Sequence, residues 1–417
     1  MIRTSLSSVV ADPAAFKPGV PHDEFARLRR ETPAAWVDEI PLWRHGGSSG
    51  SRAVQGPGYW AITRHATITA ISRQPTLFSS AARGPFLSDP KSHDDLQRTR
   101  QLLISMDAPE HTTVRQFVTD VFTPALVQRL QASIRAHADA IVQRIVEMES
   151  FDVVRDVAAE LPLLVLTDLL GMPREDRELM FRWSNNLVGF DDPEYGGGRV
   201  DQYQRTFIEA FDYAKSCAKA RRQQPQDDLV SLLVNTNIDG RRLTDQEFCH
   251  LWLLLVVGGN ESTRHFLSGA LHALCEWPDE RQRLIDTPIM WTAVEELLRY
   301  VSPIMQFRRT LTSDTTLDGQ ALQAGDKVAL YYIAANRDDT VFDRPERLDL
   351  GRAPNPHLAF GVGPHFCLGA RLARVEAAML LDALRPHLAR FELTGPIGRL
   401  ESNFMNGIKT MPARVAP

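Results

Sequence analysis

The sequence is poor in cysteine. Its 417 residues include four cysteines, Cys217, Cys249, Cys275 and Cys367, and no two of them form a CxxC pair. A disulfide framework and a structural zinc site both lack the spacing that they need. Scattered, unpaired thiols are typical of a reducing compartment, so we expect the protein to reside in the cytoplasm.

Other familiar signals are missing as well. No run of about 18 apolar residues occurs, and the first residues lack an apolar stretch, so the sequence predicts no membrane anchor. Lys and Arg number 47 against 52 Asp and Glu, which is not the basic excess of a nucleic-acid-binding protein. The glycine-rich fingerprint of a bound flavin or nicotinamide is absent, so neither cofactor is predicted.

The hydrophobic pattern predicts a mainly α fold with a minor antiparallel β portion. Apolar residues at three- and four-residue spacing indicate helices over about 109–300, and Gln246–Glu276 is apolar on nearly every face, as expected of a central helix. Strand-like pieces occupy about 30–75 and parts of 301–417, with a hairpin turn at Asp318–Gly319. Because no linker separates these parts, we expect one domain over 1–417.

Cys367 lies in a glycine-rich loop, FGVGPHFCLGARLAR, that precedes a predicted helix. A lone cysteine is most often a small buried hydrophobe. The alternative is a metal-bound thiolate, which needs backbone N–H groups aimed at its sulfur and gains from a helix N-terminus. We expect Gly361, Gly363 and Gly369 to provide close approach and positive φ, and the helix to begin near Leu368.

The spacing of this loop, Phe360-x-x-Gly363-x-His365-x-Cys367-x-Gly369, resembles the haem-binding loop of the cytochrome P450 superfamily at every position. The similarity extends in the expected order over nearly the whole chain. It implies the P450 fold, with a haem b between the long central helix and the cysteine loop, and Cys367 as the iron ligand. Since there is no CxxCH motif, covalent haem attachment is not indicated.

A second motif, GGNEST at Gly258–Thr263, places an acid and two hydroxyls inside the apolar helix. A polar stripe facing solvent is disfavoured by the apolar flanks. The motif resembles the oxygen-binding groove of the family, [AG]-G-x-[DE]-T. The resemblance implies that Gly258 and Gly259 widen the helix for dioxygen and that Glu261 delivers protons. Ser262 stands where threonine is usual, so we expect the catalytic hydroxyl there, with Thr263 as second choice.

Further residues match cationic positions of the family that contact the haem carboxylates. The segment PEHTTVR supplies His111 and Arg115, RRTLTSD supplies Arg309 with Arg308 as the alternative register, and His365 precedes the cysteine. Each would otherwise be interpreted as a solvated charge.

The segment EELLR contains Glu296 and Arg299 at i and i+3, the spacing of a routine surface ion pair. It resembles the buried E-x-x-R pair of the family, which is tied to a later arginine. The resemblance implies a structural role that braces the haem side of the core.

By the same resemblance, apolar residues line the substrate pocket. The expected lining residues are Phe78, Phe86, Leu87, Leu187, Val256, Ile304, Met305, Phe404 and Met405. The implied activity is a monooxygenase that uses O2 on a hydrophobic small molecule such as a steroid, terpenoid or other lipid-like compound. Tailoring of a polyketide or cyclic peptide remains an alternative.

The resemblance also implies electron donors, a separate ferredoxin and its reductase, which would act on a monomeric enzyme. Arg371 and Arg374 could help the ferredoxin to dock, although they could equally be ordinary surface arginines. Two other readings are less favoured. A peroxygenase usually carries an Arg-Pro pair where Glu261 and Ser262 stand, and a haem sensor needs no proton relay and usually carries an output domain.

Overall fold

The computed structural model describes residues 5–46, 50–90, 93–119, 123–238 and 240–417. Helices dominate this part of the chain. They are α1 His22–Glu31, α2 His65–Ser72, α3 His93–Thr99, α4 Glu110–Thr119, α5 Pro124–Glu147, α6 Glu160–Leu170, α7 Arg177–Val188, α8 Val200–Gln223, α9 Leu229–Asn235, α10 Asp245–Glu276, α11 Pro278–Asp286, α12 Met290–Val301, α13 Tyr332–Ala335 and α14 Ala370–Leu384. No helix among them is long and apolar enough to cross a membrane.

The strands are short. They are β1 Ala34–Val37, β2 Leu42–Arg44, β3 Arg52–Val54, β4 Tyr59–Ile62, β5 Phe78–Ser79, β6 Phe151–Asp152, β7 Gln306–Leu311, β8 Thr315–Leu317, β9 Gln320–Leu322, β10 Lys327–Tyr331, β11 Phe391–Leu393, β12 Gly398–Arg399, β13 Ile408–Thr410 and β14 Pro412–Val415. The mainly helical fold with small sheets is confirmed. The pairing is antiparallel except between β10 and β4, which run parallel.

The central helix α10 is 32 residues long and largely buried. It begins with a capping box, in which the Thr244 side chain accepts from the backbone N–H of Glu247 and the Glu247 carboxylate accepts from that of Thr244. It packs against α6, α7, α8 and α12. The helix is α-helical without a break across Gly258 and Gly259, so the local widening expected there is not seen.

The largest sheet has the order β1-β4-β10-β7-β5 and is buried on both faces. Successive residues of β10 alternate between two hydrophobic clusters: Ala329 and Tyr331 belong to one, Val328 and Leu330 to the other. This period of two is the geometry of a strand covered on both sides. The predicted hairpin is the β8–β9 pair, and Asp318 and Gly319 both take positive φ in its turn.

Candidate active site

The cysteine loop lies against the N-terminus of α14. Gly361 and Gly363 take positive φ, and a Cβ on Gly363 would clash with the carbonyl oxygen of Ser72. Gly369 differs from the expectation, because its φ is −82° and it precedes the first helical residue, Ala370. A Cβ added at Gly369 would meet no atom within 4 Å, so neither backbone conformation nor packing in the described chain requires glycine there.

Cys367 presents an accessible side chain with no disulfide partner. Its backbone N–H donates to the Phe360 carbonyl, at 3.0 Å. Desolvation by the surrounding protein raises the pKa of the thiol, whereas the backbone N–H groups of Gly369 and Ala370 and the charge of Arg115 oppose that rise. The site therefore supplies the donors that stabilise a thiolate.

His111 and Arg115 of α4, Arg309 of β7 and His365 of the loop gather beside this cysteine. The imidazole rings of His111 and His365 lie 4.2 Å apart, and Arg115 Nη2 donates to the Phe366 carbonyl at 2.7 Å. Burial, assisted by the charge of Arg309, lowers the pKa of His365 to about 2. Burial likewise lowers the pKa of Arg115 and of Arg309.

Among the described residues, this cluster has no paired anion for its cations, because Asp107 acts on Arg309 and His111 only from a distance. Within the described chain neither Arg115 nor Arg309 forms an ion pair with a carboxylate, and the buried Nε2 of His111 has no hydrogen-bond partner. Two carboxylates on a bound group would satisfy these donors. The residues present therefore fit the haem that the sequence resemblance implies, with its two propionates here and its iron at Cys367.

Arg308 and Arg309 point to opposite faces of the sheet, as neighbours on a strand must. Arg308 Nη1 donates to Asp89 Oδ1 at 2.7 Å, and Lys327 donates to the other oxygen of Asp89 at 2.9 Å. Because Arg308 already has a carboxylate partner, Arg309 is the arginine that belongs to the cluster beside Cys367. We call His111, Arg115, Arg309 and His365 the open cluster, because none of them pairs with a carboxylate among the described residues.

Glu296 and Arg299 form a fully buried bidentate pair, with both N–O distances at 2.8 Å. Arg352 Nε donates to Glu296 at 3.0 Å and is the later arginine that the resemblance implies. Arg299 also donates to the carbonyls of Asn336 and Pro345, at 2.7 and 2.8 Å. A surface pair is excluded, since both side chains are 0% exposed.

A cavity of about 440 Å³ lies beside α10. Its wall contains six of the predicted residues: Phe86, Leu87, Leu187, Ile304, Phe404 and Met405. Three predicted residues are wrong. Met305 is fully buried and packs in the hydrophobic cluster that contains Ala329 and Tyr331 of β10. Phe78 packs in the core of the large sheet, and Val256 packs in the helical core.

The helix register explains the error at Val256. The cavity wall contains residues 253, 254, 257, 258, 261 and 262 of α10, which share one face at a spacing of four. Val257 therefore faces the cavity, and Val256, a hundred degrees away around the helix, does not.

The residues of the GGNEST motif lie on different faces of α10. Gly258, Glu261 and Ser262 face the cavity, whereas Thr263 is buried outside its lining. A Cβ on Gly259 would lie 3.0 Å from the Leu166 side chain, so this glycine permits packing against α6. The Ser262 hydroxyl donates to the Gly258 carbonyl, at 2.8 Å.

Glu261 has two partners on α10 that its motif alone does not indicate, Arg264 and His265. Arg264 Nη2 lies 2.5 Å from its carboxylate, and Arg264 Nη1 donates to Asn185 of α7 at 2.8 Å. Burial raises the pKa of Glu261, but Arg264 and His265 outweigh it, and the pKa is lowered below its usual value. The i, i+3 spacing of Glu261 and Arg264 was a usable signal for the pair, whereas nothing local indicated Asn185.

Known proteins resemble this chain over almost its full length. The model of the cytochrome P450 family matches residues 281–406. A methyl-branched lipid omega-hydroxylase of Mycobacterium bovis is 38% identical, over 93% of this chain and 89% of that protein. The linalool 8-monooxygenase of Pseudomonas putida is 36% identical, over 97% of this chain and 98% of that protein.

A solved structure agrees with the fold. Mycobacterium marinum cytochrome P450 CYP268A2 in complex with pseudoionone matches with a TM-score of 0.88 at 36% identity, over 99% of both chains. The family implies the use of haem and dioxygen, and the relatives named here are hydroxylases or monooxygenases. On sequence, fold and site together, the chain belongs to the cytochrome P450 family.

Proposed function

We propose that this protein is a monooxygenase that inserts one oxygen atom of O2 into a C–H bond of a lipid-like or terpenoid substrate. Electrons come from a separate ferredoxin and its reductase. Two observations together carry this proposal. Arg115, Arg309 and His111 gather beside the Cys367 thiol without a paired anion among the described residues, and Glu261 and Ser262 lie in the wall of a largely apolar cavity.

Haem b is the group that these residues would hold. Cys367 would ligate the iron, and His111, Arg115, Arg309 and His365 would face the propionates. Phe360 packs under the loop, where the Arg374 guanidinium lies 4.4 Å from its ring centroid. When bound, the haem supplies the oxidising chemistry, since a thiolate ligand favours cleavage of the O–O bond.

Glu261 and Ser262 would supply protons on the cavity side. The Ser262 hydroxyl now donates to the helix backbone and can rotate toward the cavity, because serine lacks the methyl group that restrains threonine. Glu261 is held ionised by Arg264, so it must acquire a proton before it can pass one on.

The cavity favours a substrate with an apolar body and a polar end. Leu253, Leu254, Val257 and Phe404 provide apolar wall, whereas charged residues such as Arg44 and Asp191 lie elsewhere in the lining and pair with each other at 2.5 Å. The names of the two curated relatives, which concern a methyl-branched lipid and linalool, support this class.

The electron donor would approach near the cysteine loop. Arg374 is engaged by Glu295, at 2.5 and 2.9 Å, so its role is to hold the loop. Arg371 is exposed and remains the better candidate for contact with an acidic ferredoxin. Cytoplasmic location, a single domain and a monomeric state remain predictions.

The test is a panel of candidate substrates added to the purified ferric protein. Methyl-branched fatty acids and acyclic terpenols should displace water and shift the haem spin state, and a ferredoxin–reductase system should then convert them to hydroxylated products carrying oxygen from labelled O2. Straight-chain analogues and a polyketide macrolide serve as comparisons. The proposal fails if no panel member is oxidised with reductase, or if only hydrogen peroxide supports turnover.

A further inference from the structure

His265 lies on α10 one turn beyond Glu261 and is completely buried. Its Nε2 lies 3.4 Å from Glu261 Oε2 and 3.3 Å from Arg264 Nη2. Its Nδ1 is also buried and has no hydrogen-bond partner among the described residues. A neutral imidazole placed in this way can release a proton from one nitrogen while it accepts a proton at the other.

The ring packs closely against the backbone at Gly407. A Cβ on Gly407 would lie 2.8 Å from His265 Cε1 and 3.0 Å from its Nε2, so the imidazole occupies space that only glycine leaves open. Gly407 follows Phe404 and Met405, which line the cavity. His265 is thus held between Glu261 and the segment that follows the cavity residues Phe404 and Met405.

Burial and the neighbouring charge of Arg264 keep His265 neutral. Burial is the main cause that lowers its pKa, and Arg264 adds to the effect, whereas Glu261 opposes it. From α7, Asn185 fixes Arg264. From the loop after α7, Tyr195 acts electrostatically on Glu261 and Arg264, and Asp192 beside it pairs with Lys409 of β13 at 3.1 Å.

We propose that His265 is a positioning residue that returns protons to Glu261. In the tautomer that carries its proton on Nε2, this N–H faces Glu261 Oε2, and the contact with Arg264 Nη2 is not a hydrogen bond because a guanidinium only donates. The Nε2–H bond breaks as an O–H bond forms on Glu261 Oε2. A hydronium ion gives a proton to Nδ1 and becomes water, so the imidazole remains neutral and only its tautomer changes. Exchange with water restores the starting tautomer. Because a proton at Glu261 matters only to a monooxygenase, this role rests on the proposed function.

The first test needs no turnover. The Glu261 carboxyl is titrated by infrared difference spectroscopy in the ferric protein, and its band is identified by its absence in Glu261→Gln. His265→Phe should shift the pKa of Glu261 upward, since the hydrogen bond from His265 lowers it. His265→Gln retains an N–H donor and should keep the pKa near the wild-type value.

The second test separates proton delivery from packing. Both variants should lower product formation about 100-fold or more and divert reducing equivalents to hydrogen peroxide, because neither phenylalanine nor glutamine can relay a proton. The matched control is His272→Phe, further along α10, where Nδ1 lies 3.5 Å from Glu276. It should leave product yield and the Glu261 titration unchanged.

Three outcomes would overturn the assignment. They are a His265→Phe enzyme with the product yield of the His272→Phe control, a His265→Gln enzyme with full product yield, and an unaltered Glu261 titration in His265→Phe. If His265→Phe does not fold, Gly407→Ala displaces the ring instead and should change the titration and the yield in the same directions. If the wild type showed no thiolate spectrum, the proposed function would be refuted. The infrared titration of Glu261 does not depend on that spectrum, so it would still test the contact with His265.

Discussion

Two groups of buried and half-buried arginines in this protein are built in opposite ways. Around Glu296, the guanidinium groups of Arg299 and Arg352 donate to a carboxylate and to backbone carbonyls, so the network is closed. Around His365, Arg115 and Arg309 donate to backbone carbonyls and form no ion pair with a carboxylate among the described residues. The same side-chain chemistry therefore serves two purposes: the closed network holds the fold, and the open cluster is completed by a bound dianion.

The largest effect should come from breaking the closed network. Glu296→Gln leaves Arg299 and Arg352 buried without a counter-charge, which costs about 3–5 kcal/mol, a large part of the total stability of a typical protein. We expect little folded protein, measured as soluble yield and by urea unfolding. Glu295→Gln is the matched control, because Glu295 is 31% exposed and should cost much less. Equal losses in both variants would contradict the closed-network interpretation.

Removing one cation from the open cluster should weaken haem binding without destabilising the fold. Arg309→Leu relieves an unpaired buried charge, so the unfolding free energy of the haem-free protein should not fall. Haem should leave roughly 10- to 100-fold faster, corresponding to the loss of about 1.5–3 kcal/mol for a hydrogen bond to a charged group. The measurement is haem transfer to an acceptor globin. Arg308→Leu, on the opposite face, should destabilise the fold but leave haem transfer unchanged, and a reversed pattern would refute the assignment.

Glu376 is a buried acid that has no cationic partner among the described residues. Burial alone raises the pKa of Glu376, on α14, from 4.5 to about 8. The folded state then keeps a proton that the unfolded state has lost, so stability is full below about pH 4.5 and is lost as pH rises toward about 8. The slope is about 1.4 kcal/mol per pH unit. Urea unfolding across this range should show it, and Glu376→Gln should flatten this component. An unchanged slope in the variant would show that Glu376 has a partner.

The smallest effects should distinguish the two valines of α10. Val256→Ala removes buried carbon from the helical core and should lower the unfolding free energy by roughly 1.6 kcal/mol, with substrate affinity unchanged. Val257→Ala enlarges the cavity and should change the substrate affinity or the position of hydroxylation at little cost in stability. The spin-state titration measures the substrate affinity, and product analysis gives the position of hydroxylation. If Val256→Ala changed substrate binding and Val257→Ala changed only stability, the assignment of the cavity to the Val257 face of α10 would be contradicted.

Local spacing made half of the site predictable. Cys367 and the Glu296–Arg299 pair lie within short motifs whose spacing fixes their geometry. The hydrophobic pattern likewise located α10, because a helix apolar on all sides must be central.

The rest depends on contacts between distant parts of the chain. Asn185 reaches Arg264 from another helix, and only folding brings them together. Phe78 was mistaken for a pocket residue because an aromatic side chain in a short strand serves a sheet core equally well. Val256 shows a different failure, since counting in fours from Glu261 would have selected Val257.

The central claim is that Cys367 and the open cluster together hold a thiolate-ligated haem. The most direct measurement is the absorption spectrum of the reduced, carbon monoxide-bound protein, recorded beside Cys367→His. We predict the strongly red-shifted Soret band of a thiolate-ligated haem in the wild type and its loss in the variant. A colourless wild-type protein that does not take up haemin, or a variant that retains the thiolate band, would contradict the account.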